Sequence, residues 1–302
     1  MSYKYINPGY YTLFSGWTGD TQKQTANDFE KNPLNGLVIS NRNLYYTIPV
    51  ESIVVYCSFG LYPVAAFYGD HQAVFSISSS TMLKNELQFN FNYNAAYTDV
   101  TVGAENFRFF HKIERRKYNK ILFKVDTTAG SVDVWINGEQ LYSQVDKEII
   151  RAFDNLQGRI IRISGAAEDY LSNFIISDEE ILPNEDVLVL PQGEVEASVE
   201  PNEDGSYTFT QEGQHFLMET EVEPLSANDI ITGIAAIAYP GYATGDGLYH
   251  VKSIAKDASG NITEHSADAV PSDTMAATAA SYAARLTKAE LDAQKIGLRV
   301  TT

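Results

Sequence analysis

The chain has 302 residues, of which 44% are apolar, 12% aromatic and 20% charged, so we expect a folded, β-leaning protein of about two domains. Its formal net charge of −17 argues against binding to nucleic acid and against docking on anionic membranes. No apolar run is long enough to span a membrane and no signal peptide is visible, so neither is expected.

Short runs of strand-forming residues separated by turn residues occupy the segment from about 34 to 110. Residues 88–93 alternate polar and aromatic side chains, which is the period of a half-buried strand. The predicted strands of this segment are 34–41, 52–62, 65–70, 73–80 and 87–94.

The clearest pattern follows residue 118. Residues 119–125 and 131–136 predict two strands around a turn, and Asn137-Gly138 predicts a tight hairpin turn because both positions tolerate positive φ. Further strands are predicted at 139–142, 159–163 and 170–176, and residues 146–153 could form two helical turns at most. Many short strands at such spacing are typical of an antiparallel sandwich.

A Pro-bounded acidic stretch after Ser177 indicates a domain edge, and we place the domains at 1–184 and 185–302. Residues 186–302 hold six basic and eighteen acidic side chains, so acidic partners are not expected there. Strands are predicted at 206–211, 215–223, 229–239, 248–257 and 295–302. The Ala-rich stretch 276–293 predicts a short helix, for which Thr287 and Glu290 fit a capping box.

The first candidate site is the triplet Glu219, Glu221 and Glu223, which would share one face of a strand about 7 Å apart. A retaining glycosidase needs two carboxyl groups about 5 to 5.5 Å apart. The triplet is similar to the Glu-x-Asp-x-Glu strand of laminarinase-type hydrolases, with Glu221 in the central position. A solvated strand face in an acidic domain is the alternative that we favour, so no catalytic residue is expected.

The second candidate site is the Gly- and Pro-containing loop 239–249. Tyr239, Tyr242 and Tyr249 would be partly exposed on it, and exposed tyrosines suit contact with carbohydrate or protein. An ordinary hairpin connection is the alternative. For Trp135, a position in the core is favoured over stacking against a sugar.

The sequence offers little support for a nucleophilic cysteine or a metal site. Cys57 lies in an apolar run and is read as a buried strand residue rather than a nucleophile. Asp126 and Asp133 flank a turn but lack the oxygen-rich loop of a calcium site, and no metal or cofactor is expected. A basic cluster (His111, Lys112, Arg115, Arg116, Lys117 and Lys120) could pair with an acidic neighbour or form a solvated loop.

Two stretches carry a resemblance to a known family. Residues 120–143, with Val134-Trp135-Ile136-Asn137-Gly138 as the most telling piece, and residues 171–180 resemble the concanavalin A-like lectin/glucanase family and its laminin G-like members. The resemblance implies an antiparallel jelly-roll sandwich and no particular catalysis. The expected fold is therefore all-β, a concanavalin A-like jelly roll followed by a smaller β-rich domain with a short helix.

The C-terminal end resembles the closing segment of phage and prophage tail proteins, through Pro271 to Thr274, Leu286-Thr287, Glu290-Leu291 and residues 296–300. That segment usually contains a Trp, which is missing here. The two resemblances together predict a non-enzymatic virion structural protein (tail, fibre, baseplate or head decoration), assembled in the host cytoplasm. Its expected partners are other virion subunits, further copies of itself and host-surface glycan. The alternatives are a glycan hydrolase and a bacterial carbohydrate-binding module.

Overall fold

The computed structural model describes residues 4–7, 17–25, 38–48, 54–64, 72–78, 87–92, 96–102, 105–126, 128–145, 159–164, 169–190, 192–241, 249–269 and 276–301. The chain divides into two compact units, the first containing Gly16–Leu188 and the second Val189–Thr302. None of the helices in the described ranges is long and apolar enough to cross a membrane.

Strands dominate the chain before residue 189. They are β1 (Lys4–Asn7), β2 (Trp17–Thr25), β3 (Val38–Ile48), β4 (Val54–Tyr62), β5 (Gln72–Ser78), β6 (Leu87–Asn92), β7 (Tyr97–Val102), β8 (Glu105–Phe110), β9 (Asn119–Asp126), β10 (Ser131–Ile136), β11 (Glu139–Val145), β12 (Arg159–Ser164) and β13 (Tyr170–Ser177).

One large antiparallel sheet of the first unit folds back on itself. Its strands run in the order β11-β10-β9-β4-β13-β3-β12-β5-β6-β7-β8, and β2 pairs with β3. Phe75 on β5 nevertheless stacks on Phe123 on β9 with ring centroids 3.8 Å apart, although four strands separate them in the sheet. Phe109 on β8 likewise meets Tyr142 on β11, from opposite ends of the strand order, at 5.1 Å. The sheet therefore forms two facing layers, which confirms the predicted β-sandwich.

The core between the layers is mainly aromatic. Alternating residues of each strand point inward, as Val132, Val134 and Ile136 do on β10. The largest fully buried side chains of this unit are Phe59, Phe75, Phe89, Phe91, Phe123 and Phe174. Ring pairs of this kind add to the stabilisation that burial of apolar area gives.

The predicted hairpin is confirmed in detail. Asn137 and Gly138 have φ of 52° and 82°, the left-handed values that a tight turn of this type requires. The Asn137 side-chain oxygen also accepts a hydrogen bond of 2.8 Å from the Lys120 backbone N–H. The neighbouring strands β4, β5, β6, β9, β10, β11, β12 and β13 were all predicted near their observed bounds. The predicted strand 65–70 and helix 146–153 lie outside the described residues.

The second unit contains two antiparallel sheets. Its elements are β14 (Gln192–Ala197), β15 (His215–Thr220), β16 (Ile230–Gly241), β17 (His250–Lys256), β18 (Ile262–Ala269), β19 (Ala276–Thr287), α1 (Lys288–Asp292) and β20 (Lys295–Thr301). Five strands pair in the order β14-β15-β20-β17-β18, and β16 pairs with β19. The core joins residues from both sheets and α1, among them Ala236, Ala280, Leu291, Ile296 and Leu298.

The Ala-rich stretch is mostly strand. Residues 276–287 pair with β16 along almost the whole of β19, and alanines such as Ala279 and Ala280 are buried there. Helix propensity is overridden because small side chains fit this buried pair of strands. The predicted short helix is confirmed only as α1, whose N-cap Thr287 forms the predicted capping box with Glu290.

The predicted strand at 206–211 is wrong. The segment is irregular because local side-chain hydrogen bonds occupy its backbone and side-chain groups. The Gln214 side-chain oxygen accepts from the N–H of Thr210 at 2.6 Å and of Gln211 at 2.9 Å. The Asn202 amide donates to the hydroxyls of Ser206 and Thr208 at 2.9 and 3.0 Å.

Candidate functional site

The structure separates the three predicted acids. Glu219 lies on β15, its carboxylate 3.2 Å from the Lys295 ammonium, but β15 ends at Thr220. Glu221 and Glu223 follow that end as exposed residues on either side of the buried Val222. The expectation of one strand face bearing all three carboxylates is therefore wrong, because the strand stops before the second.

The predicted tyrosine loop is described only at its ends. Tyr239 belongs to β16 rather than to a loop, and Tyr242 lies outside the described residues. Tyr249 is half-buried, and its hydroxyl lies 3.5 Å from the Thr210 carbonyl oxygen, to which it donates. Of the three predicted tyrosines, the structure therefore describes the side chain of Tyr249, and the predicted tyrosine site stays a prediction.

Cys57 and Asp126 have structural roles. Burial raises the pKa of the Cys57 thiol, so it stays protonated. Asp126 accepts hydrogen bonds from the backbone N–H groups of Thr128 and Ala129 at 2.9 and 2.8 Å, which closes the turn after β9. Within the described ranges, no group of three or more His, Cys, Asp or Glu residues is arranged to hold a metal ion.

Trp135 does not lie in the core, contrary to the prediction. Its neighbours Val134 and Ile136 point into the sandwich, so Trp135 faces the opposite side of the sheet, where it is half-buried. The indole therefore borders solvent on the outer face of β10.

The basic cluster is not a continuous patch. His111 is buried and its Nδ1 accepts a hydrogen bond of 3.1 Å from the Ile113 N–H, and burial lowers its pKa. Lys120 is almost buried, with its ammonium 3.9 Å from the Asp186 carboxylate. The remaining members are exposed, and Lys112 and Lys117 form ion pairs with Glu139 and Glu114.

Polar and aromatic side chains line the outer side of β6, β7 and β8. Strand alternation directs Leu87, Phe89, Phe91, Val100 and Phe109 into the core. The residues between them point to the other side of the sheet, where Asn92 is buried and the others are half-buried or exposed. We call them the β6–β8 face: Gln88, Asn90, Asn92, Tyr97, Asp99, Thr101, Asn106, Arg108 and Phe110.

The strand register arranges this face in three cross-strand rows. Asn90, Asp99 and Arg108 stand opposite one another in the central row. The second row is Asn92, Tyr97 and Phe110, and the third is Gln88, Thr101 and Asn106. Neighbouring side chains in such rows lie close enough to interact directly.

A bidentate ion pair between Asp99 and Arg108, which we call the fork, forms the centre of the β6–β8 face. The Arg108 guanidinium donates to both oxygens of Asp99, from Nε at 2.7 Å and from the terminal nitrogen at 3.2 Å. The same guanidinium lies 3.8 Å from the Tyr97 ring centroid. The hydrogen bond to Asp99 raises the pKa of Arg108, which stays charged. These contacts fix a planar group of donors and acceptors in an orientation set by the sheet.

Amides surround the fork. Gln88 donates to Asn90 at 2.6 Å, and Thr101 donates to Asn106 at 2.9 Å. Phe110 stands in the second row, opposite Tyr97, with 76% of its surface exposed. The Asp99 and Arg108 charges cancel, so the face offers directional hydrogen bonds and an apolar ring without net charge. A neutral ligand rich in hydroxyl groups matches that chemistry.

This face was not predicted from the sequence, because β7 and β8 were not among the predicted strands. A signal was present. Residues 97–102 alternate Tyr, Asp and Thr with Thr, Val and Val, the period of a half-buried strand.

No family model matches the sequence, and no curated protein matches it. Among solved structures, it is similar to sheep galectin-11 in complex with glycerol (6% identity, TM-score 0.36, 44% of this chain and 95% of that one). It is also similar to Caenorhabditis elegans galectin LEC-6 (14%, 0.33, 53% and 97%). A third structure is a Bacillus subtilis protein of unknown function with a galectin-like fold (11%, 0.37, 59% and 98%). At these identities and TM-scores the likeness adds nothing to what the strand order shows.

Proposed function

We propose that the first unit is a lectin-like carbohydrate-binding domain and that the β6–β8 face holds the sugar. The observation that carries the proposal is the fork of Asp99 and Arg108 against the Tyr97 ring. A carboxylate and a guanidinium held in a fixed plane match pairs of neighbouring sugar hydroxyls, one donating and one accepting. Phe110 offers an exposed ring to the apolar side of a sugar.

We also propose that the chain is a non-enzymatic component of a bacteriophage virion. It would assemble in the host cytoplasm with other virion subunits and further copies of itself. Its support is the C-terminal resemblance to phage tail proteins. The matching residues Leu286-Thr287 end β19, Glu290-Leu291 lie in the capped helix α1, and 296–300 lie on β20. Many linked copies would strengthen individually weak glycan contacts.

The sharpest test is a glycan-array and whole-cell binding screen with the full chain and two matched variants. Asp99→Asn removes one charge of the fork at constant size. Glu264→Gln removes the partner of another ion pair, with Arg299 at 2.7 Å in the second unit, and is the control. We expect saturable binding by the wild type and Glu264→Gln, and binding at least about tenfold weaker by Asp99→Asn, since a tenfold loss corresponds to about 1.4 kcal/mol.

Equal binding by Asp99→Asn and the wild type would refute the proposed site. Absence of binding to any glycan, including with a multimeric form of the chain, would refute the carbohydrate function. The virion setting has its own test, the presence of the chain in purified particles by mass spectrometry. Its absence from intact virions would overturn that part of the proposal.

A further inference from the structure

The opposite layer of the first unit carries a second arrangement of a ring beside polar groups. Trp135 on β10 stands opposite Gln140 on β11, and Asp133 stands opposite Ser143. The Asp133 carboxylate accepts hydrogen bonds from the Ser143 hydroxyl at 2.6 Å and from the Gln140 amide at 3.2 Å. We call these four residues the Trp135 ledge.

An irregular register creates the ledge. The pairing shifts between Val134 and Trp135, so that Leu141 has no opposite residue on β10. A bulge of this kind re-aims the neighbouring side chains. Here it places Gln140 and Ser143 on the same outer side as Asp133, while Tyr142 points inward to Phe89 and Phe109.

On the outer face of this layer, Leu122 of β9 is buried, whereas Gln140 and Ser143 of β11 are exposed. Leu122, opposite Trp135 on β9, is 1% exposed although it points outward. The segment 178–188 approaches the same side of the sheet, because the Asp186 carboxylate lies 3.9 Å from the ammonium of Lys120 on β9. On β10 and β11, Trp135 and Asp133 are half-buried, and Gln140 and Ser143 are exposed.

We propose that the Trp135 ledge is a second carbohydrate site, distinct from the β6–β8 face. The indole takes the apolar side of a neutral sugar ring, and the Gln140 amide and the Asp133 carboxylate take hydroxyls at its edge. Asp133 is pre-oriented by Ser143, so little conformational freedom is lost on binding. The inference rests on the proposed carbohydrate function and adds to it a bivalent geometry, with sites on both layers of one sandwich.

The test uses the full chain labelled with 5-fluorotryptophan. The chain has two tryptophans, Trp17 and Trp135, and so gives two ¹⁹F NMR signals, assigned with Trp135→Phe. The probes are the neutral oligosaccharides that bind in the array screen. We expect the Trp135 signal to shift saturably on titration. We also expect Trp135→Ala to lose that site, with the calorimetric stoichiometry falling from two sugars per chain to one.

Two variants separate this inference from the proposed function. Asp99→Asn should leave the shift of the Trp135 signal unchanged while removing the other site. Val145→Ala, which trims a side chain that is 72% exposed on β11, is the control for a mere loss of apolar surface and should bind like the wild type. If the wild type binds sugar without any shift of the Trp135 signal, and Asp99→Asn abolishes that binding, the Trp135 ledge alone is overturned. No binding by any probe would overturn both proposals.

Discussion

The Tyr118 hydroxyl donates a hydrogen bond of 2.8 Å to the Asp186 carboxylate, 68 residues further along the chain. The Asn173 amide donates to the same hydroxyl at 3.1 Å, and the Lys120 ammonium lies 3.9 Å from Asp186. Burial raises the pKa of both Tyr118 and Asp186. This cluster holds the segment after β13 against the outer face of β9, the strand that pairs with β10.

We expect Tyr118→Phe to lower the free energy of unfolding by about 1 to 3 kcal/mol, because the change leaves a buried carboxylate short of a donor. Urea denaturation at neutral pH measures the loss. Tyr207→Phe, which removes the hydroxyl of a half-buried tyrosine in the second unit, is the control and should change stability little. Equal effects of the two substitutions would contradict the role assigned to Tyr118.

The hydrogen bond between Tyr118 and Asp186 also predicts that the free energy of unfolding depends on pH. The pKa of Tyr118 lies well above its ordinary value in the folded chain, so above about pH 10 the unfolded chain loses a proton that the folded chain keeps. The stability contributed by this protonated phenol is present below about pH 10 and falls as the pH rises further. The difference in unfolding free energy between the wild type and Tyr118→Phe should therefore narrow between about pH 9 and about pH 11. A difference that stayed constant would show that the phenol is not buried as described.

The Tyr118 ring packs against Gly60, where a side chain would clash with it. A Cβ at position 60 would lie 2.3 Å from a ring carbon of Tyr118, so Gly60→Ala must displace the ring. We expect a loss of about 1 to 3 kcal/mol, typical of overpacking. In Tyr118→Ala, where the ring is gone, the same Gly60→Ala change should cost much less. A double-mutant cycle measures this coupling, and additive effects would contradict the clash.

The sequence predicts the β9–β11 region well because its information is local. The alternation of residues 131–136 and the Asn137-Gly138 turn predict the strand and the tight turn that follows it. The Asp99–Arg108 fork, by contrast, depends on how β7 pairs with β8. The local sequence of each strand does not specify that pairing. The Trp135 ledge depends on a register shift, and the environment of Lys120 depends on Asp186, which lies far along the chain.

The Ala-rich stretch contains the predicted short helix, but most of it forms a strand. Residues 276–287 have strong helix propensity, yet they form β19, because the long β16 offers pairing along nearly its full length. Tertiary pairing outweighs propensities of less than about 1 kcal/mol per residue. Only where β19 ends does a local signal decide the structure, in the capping box of Thr287 and Glu290.

Phe110 tests the β6–β8 face without disturbing the core. Since 76% of its surface is exposed, Phe110→Ser should change the unfolding free energy by no more than about 0.5 kcal/mol. It should nevertheless weaken binding of array-selected glycans about threefold or more, because an apolar contact is lost. Surface plasmon resonance and thermal denaturation of the same samples measure both effects. Unchanged affinity would remove the ring from the proposed site while leaving the fork in place.

Gly297 tests the second unit, because it lies where β20 approaches β15 most closely. A Cβ at this position would lie 1.8 Å from the Phe216 carbonyl oxygen, and backbone cannot yield as a flexible side chain can. Gly297→Ala must therefore push apart two paired strands in the centre of the five-stranded sheet. We expect a loss of about 3 kcal/mol or more, beyond ordinary overpacking. Gly205→Ala, at an exposed turn with positive φ and no atom near the new Cβ, is the control for simple backbone strain and should cost only about 1 kcal/mol. Hydrogen exchange should show the excess loss in β15 and β20, and protection there equal to that of the wild type would contradict the close approach.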